Sequence, residues 1–141
     1  MTKRKLVITG PAKNDLKEIR AYSIDKHGRK TADAYDALIK QAIKDLRTDP
    51  LRVGSRERPE IAETIRTYHI SLSRNAAGSP IKTPRHFVLY FLPKADELVI
   101  SRILYDGRDL PRHLPDEHRR AMQRARYSSK QKPSRDKGRT R

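Results

Sequence analysis

Apolar positions along the chain follow two rhythms, and the change comes at Pro50. Before it, Leu6-Val7-Ile8-Thr9 is a short β-branched run closed by Gly10-Pro11, which predicts a strand. Thr9 or Gly10 stands where a helix cap belongs. Pro11 fits the first helical position, whose N–H would be unpaired in any case. Ala12, Leu16, Ile19 and Ser23 then recur at helical spacing with Lys13, Lys17 and Glu18 between them, and His27-Gly28 offers a left-handed stop. A second helix is predicted from about Thr31 to Arg47. Its Tyr35, Leu38, Ile39, Ala42, Ile43 and Leu46 give the clearest amphipathic pattern in the chain. The very short connection between the two predicts an antiparallel helical hairpin, ended by Asp49-Pro50.

Beyond Pro50 the period shortens to two. Residues 51–60 are loop-like, with Gly54 and Pro59. Thr64 to Ile70 alternates and is β-rich. His86 to Leu92 and Glu97 to Tyr105 are strands joined by a tight turn at 93–96, and the stretch Ser71 to Pro84 reads as a long hairpin loop. The order is β-α-α-β-β-β, an α+β fold with a helical hairpin packed on a small antiparallel sheet. The division expected is a domain over 1–114 and a basic, partly helical or disordered extension over 115–141.

Charge narrows the partners. There are 33 Lys+Arg against 17 Asp+Glu, a formal net charge of +16. Ten of the basic and three of the acidic residues lie from Pro115 onward, so the last part of the chain carries +7. Such an excess favours nucleic acid, an acidic protein surface or a membrane face. The absence of cysteine excludes disulfides, thiolate zinc sites and thiol nucleophiles. No apolar run is long enough to span a bilayer, and Leu6-Val7-Ile8 is too short for a signal peptide, so a cytoplasmic protein without membrane contact is expected. His69 and His86 lie far apart with no carboxylate at ligand spacing, and neither a metal site nor a cofactor is expected.

Several blocks together resemble the RelE/ParE superfamily of toxins over nearly all of residues 6–114. They include Ala12, Asp15-Leu16, Ile19 and Tyr22; Gly28, Ala32 and Tyr35; Gly54 and Arg56; and Arg66 opening the first strand of the meander. His86-Phe87-Val88-Leu89-Tyr90 resembles the family's central strand. Ile100-Ser101-Arg102-Ile103-Leu104-Tyr105-Asp106-Gly107-Arg108-Asp109-Leu110 resembles the ending of ParE-like members, with Tyr105 where the family usually has histidine. The stretch Ser71–Pro84 and the part after Pro115 exceed the compact family core. The resemblance implies the toxin of a type II toxin–antitoxin pair, in a hetero-oligomer with a cognate antitoxin. ParE-type members inhibit DNA gyrase; RelE-type members are enzymes that cleave mRNA on the ribosome. An inactive toxin fold that binds nucleic acid is a third outcome of the same resemblance.

Metal-free RNA cleavage needs a base, an acid and cations on the phosphorane. The candidates for those roles are Arg66, Arg102, Tyr90 and His86. Strict alternation places Ile100, Arg102 and Leu104 on one face of the last strand and Ser101, Ile103 and Tyr105 on the other. Arg102 and Tyr105 therefore converge only if a bulge intervenes. For binding a target or the antitoxin, the candidates are Arg102, Tyr105, Arg108 and Arg112. Arg102 fits an ion pair with an acidic group as well as it fits a phosphate, and Tyr90 fits the core.

Overall fold

The computed structural model describes residues 4–107. Strand β1 (Lys5–Ile8) leads through Thr9 into helix α1 (Gly10–His27). Thr9 is the cap: its hydroxyl accepts from the Ala12 N–H at 3.1 Å and donates to the Ser101 carbonyl at 2.8 Å. Gly28 ends α1 at φ 91°, a conformation that disfavours any side chain, and helix α2 (Arg29–Thr48) begins at once. The hairpin expected from the sequence is present. On α2, Leu38, Ile39, Ala42, Ile43 and Leu46 are buried together with Ala32, and Tyr35 is partly covered. On α1 the buried positions are Ala12, Asp15 and Ser23, while Leu16 and Ile19 pack at the margin of the core.

Strands β2 (Arg56–Glu57), β3 (Arg66–His69), β4 (His86–Phe91) and β5 (Glu97–Tyr105) complete the sheet, in the order β1-β5-β4-β3-β2. The expected meander of β3, β4 and β5 is antiparallel throughout. Two additions modify the small antiparallel sheet. β1 joins the outer edge of β5 in parallel, from Lys5 opposite Glu97 to Ile8 opposite Ile100, which gives Leu6-Val7-Ile8 a buried seat and makes the sheet mixed. The stretch expected to be loop contributes β2, a two-residue strand on β3. Residues 71–84 are not a plain hairpin loop either. A 3-10 turn (Ile70–Ser73) and a one-turn helix α3 (Arg74–Ala77) fold back against α2.

The sheet separates two cores. Val88, Tyr90, Tyr68, Leu98, Ile100 and Ile103 pack on the helical hairpin. Leu89, Phe91, Val99 and Leu104 pack with Ile61 and Ile65 on the opposite side. A β-bulge in β5 explains why residues of both parities reach the helices. Tyr90 pairs with Ile100 but Leu89 pairs with Arg102, leaving Ser101 as the extra residue. Strict alternation had grouped Ile100 with Arg102 and Leu104; the bulge instead places Ile100 with Ile103, and Leu104 with the second core. Among the described residues no helix is long and apolar enough to cross a membrane.

Candidate functional site

Beyond Ile8 the outer edge of β5 has no strand beside it among the described residues, and the first turns of α1 take over its polar groups. Asp15, on the second turn, accepts the Ile103 N–H at 2.9 Å and the Arg102 guanidinium through Nε and Nη2, both at 2.7 Å. This is a two-pronged carboxylate–guanidinium pair with Asp15 buried and Arg102 mostly so. Such geometry uses the planar fork of arginine fully. Arg102 is therefore an anchor between α1 and the bulged strand, and its charge is answered within the fold. The bulge precedes Arg102, and pairing is regular from Arg102 to Tyr105, so these two side chains remain on opposite faces.

Arg66 and Tyr90 are cross-strand partners. The Tyr90 ring is fully buried, and its hydroxyl donates to the Pro50 carbonyl at 2.5 Å. Burial pushes the phenol above its ordinary pKa, which keeps it protonated and unsuited to act as a base. Arg66 donates to the Ser55 hydroxyl at 2.8 Å, lies 3.4 Å from the Tyr90 oxygen and faces Glu57 at 3.6 Å. These contacts hold the 50–57 loop against the sheet. His86 lies four residues along β4 from Tyr90, about 13 Å at the usual strand rise. The structure thus divides the set considered for RNA cleavage. Arg66 and Tyr90 share one place, Arg102 is locked to Asp15, and His86 belongs elsewhere.

His86 belongs to a polar cluster at the end of β3, β4 and β5 that sequence spacing concealed. Its Nδ1 lies 2.6 Å from the Tyr35 hydroxyl, which also accepts the Arg85 N–H at 3.0 Å. Burial holds the Tyr35 phenol above its ordinary value. Tyr105, opposite His86, makes an edge contact with that ring, and its own exposed ring carries the Arg85 guanidinium at 4.9 Å. Asp106 closes the group. It binds Arg85 through both oxygens and lies 3.0 Å from His69 Nε2. His69 Nδ1 accepts the Ser71 N–H at 3.3 Å, so the nitrogen facing Asp106 is the one that donates. The carboxylate missing from the histidine spacing is thus Asp106, brought to His69 by the ladder through β4. Hydrogen bonding to Arg85 first, and to His69 next, holds Asp106 below the usual carboxylate range. Among the described residues no group of His, Asp and Glu is arranged to hold a metal ion. Arg108 and Arg112 lie outside the described residues, as does the extension expected from Pro115.

Comparison with known proteins agrees with this layout. The model of the ParE toxin of the type II toxin–antitoxin system parDE matches residues 6–110, well over half the chain. Among solved structures, the chromosomal ParDE TA system from P. aeruginosa superposes with a TM-score of 0.55 at 19% identity, covering 73% of this chain and 96% of that one. At that identity the likeness shows the fold. No curated protein matches the chain. The match over 6–110, with the helical hairpin on a five-stranded sheet beneath it, places the chain in the ParE toxin family of type II toxin–antitoxin systems.

Proposed function

We propose that this toxin acts as ParE-like members do, by binding DNA gyrase and arresting it, and that a cognate antitoxin neutralises it in a hetero-oligomer. The observation that carries the reading is the engagement of Arg102. The signature arginine of β5 is held by Asp15 at 2.7 Å through two nitrogens and is not presented to a phosphate. Among the described residues, a buried, protonated Tyr90 and a distant His86 leave no acid–base set around it. This supports action through surface contact. Tyr105, exposed beneath Arg85, is the residue we assign to the target or antitoxin surface, with Arg108 and Arg112 following it in the chain. The basic chain favours steered encounter with an acidic partner. We take residues 1–114 as the toxin unit and 115–141 as an extension that adds positive charge. Synthesis in the cytoplasm, where gyrase works, completes the reading.

One observation favours the RelE alternative of ribosome-dependent mRNA cleavage. The strand-end cluster does gather His69, His86, Tyr35, Tyr105, Arg85 and Asp106. Arg85, its one arginine among the described residues, is neutralised by Asp106, and His69 pairs with Phe87 on the sheet face opposite His86, which weighs against a shared phosphate site. The test uses the purified full chain with gyrase and relaxed plasmid, and in parallel with ribosomes programmed with mRNA. Blocked supercoiling with accumulating cleaved DNA, and intact message, is expected. Message cut on the ribosome with normal supercoiling would replace this reading by the RelE one.

A further inference from the structure

The turn at residues 50–54 and the 3-10 turn Ile70–Ser73 carry three exposed large apolar side chains: Leu51, Val53 and Leu72. Val53 is 95% exposed, and Leu72 half so. The turn and Leu72 meet at Gly54. A Cβ placed on Gly54 would fall 2.4 Å from Leu72 Cδ1, and Gly54 also adopts φ 95°. Glycine at 54 therefore lets Leu72 lie directly against the turn that bears Val53.

This apolar group is held out by an anchored base. Ser73, next to Leu72, is buried and donates to Asp45 of α2 at 2.6 Å. The buried Tyr68 hydroxyl lies 2.9 Å from the same Ser73 oxygen, and Gln41 donates to the other Asp45 oxygen at 2.8 Å. The Arg66 contacts to Ser55 and Tyr90, and the Tyr90 bond to Pro50, fix the neighbouring turn. Exposed apolar side chains on an ordered base cost little further ordering when a partner covers them.

The charge around the patch selects the occupant. Arg52 sits over the Tyr68 ring at 5.7 Å and already faces Asp45 at 3.8 Å, so the open charge is that of exposed Arg56, which carries no ion pair among the described residues. A second copy of a chain carrying +16 would bring like charge to this rim. An acidic segment brings the opposite charge.

We propose that Leu51, Val53 and Leu72 form a docking surface for an acidic segment of the antitoxin that inserts a large apolar side chain. Arg56 steers it and Arg52 flanks its seat. The inference rests on the toxin–antitoxin reading.

The experiment measures binding of the full chain to the purified product of the reading frame adjacent to its gene. The toxin variants are Val53→Glu, Leu72→Ser, Arg56→Glu and, as a distant exposed control, Tyr22→Ser. Val53→Glu and Leu72→Ser are expected to weaken binding at least tenfold each with unchanged thermal melting, while Tyr22→Ser leaves it unchanged. Arg56→Glu is expected to slow association several-fold at low salt, with the difference shrinking as salt rises. Wild-type affinity in both Val53→Glu and Leu72→Ser overturns the docking surface and leaves the toxin reading intact. Loss of a wild-type dimer in Val53→Glu, with capture of the probe unchanged, overturns it in favour of a contact between copies. Failure of the wild-type chain to bind the probe removes the antitoxin reading and this proposal together.

Discussion

Two aspartate–arginine pairs border the same strand and do different work. Asp15–Arg102 lies at the edge of β5 beside the bulge, nearly closed to water, and joins residues 87 positions apart. Asp106–Arg85 lies at the end of the strand, with the arginine half exposed. Both are two-pronged and short. What separates them is solvent. In the first, desolvated groups depend on each other and on the Ile103 N–H, so loss of Arg102 leaves the buried Asp15 charge without its guanidinium, and loss of Asp15 takes the acceptor from the Ile103 N–H. In the second, water can replace whatever is removed, and the pair chiefly orders a cluster of rings. A signature arginine thus serves here as a structural fastener, and the exposed chemistry lies elsewhere.

The sharpest way to break this contrast is Asp15→Ala. It removes the carboxylate that holds Arg102 by two hydrogen bonds and the Ile103 N–H by a third, and an unfolding free energy lower by about 3–5 kcal/mol is expected in denaturant titration. An effect under about 1 kcal/mol would place Arg102 with the exposed class. Tyr90→Phe comes next. It leaves the Pro50 carbonyl without its donor and Arg66 without one acceptor, for a loss of about 1–2 kcal/mol, and toxicity should persist in cells that still fold the protein. A tyrosine in catalysis would instead abolish toxicity at unchanged stability.

Asp106→Asn tests the solvent-facing pair through pH. Arg85 depresses the folded-state pKa of Asp106, so the folded state resists protonation more than the unfolded chain does. The stabilisation is present above about pH 4, the unfolded carboxylate range, and is lost as pH falls through the lower folded value. Thermal melting followed from pH 7 to pH 3 should fall less steeply in the variant, and parallel curves would remove Asp106 from the acid response. The smallest effect belongs to Ser101→Ala. The Ser101 hydroxyl is buried at the bulge without a hydrogen-bond partner among the described residues. Its removal should change stability by less than about 1 kcal/mol, toward greater stability. A large loss would mean the hydroxyl is bonded after all.

Local chemistry explains which parts of the fold were legible. Thr9-Gly10-Pro11 and Gly28 marked the limits of α1 because caps are set by single residues, and the spacing from Tyr35 to Leu46 marked the buried face of α2. The span of β5 was equally clear from its apolar run. The parallel seat of β1 was hidden, since a three-residue apolar run says nothing about which edge it meets. The bulge at Ser101 was hidden for a similar reason, being fixed by pairing with β4 and by Thr9 and Asp15 at the open edge. Asp15 occupied an apolar stripe of α1, and a carboxylate in that position beside Arg102 in the resemblance was the signal available for the ion pair. The link from His69 to Asp106 spans 37 positions, and only the β3–β4–β5 ladder closes it.

Inducing the chain in growing cells, and mapping DNA breaks and mRNA ends in the same samples, tests the central claim most directly. The account predicts growth arrest with breaks at gyrase sites, intact messages, and rescue by the adjacent antitoxin candidate. Messages cut within their coding frames while the DNA stays whole would contradict it.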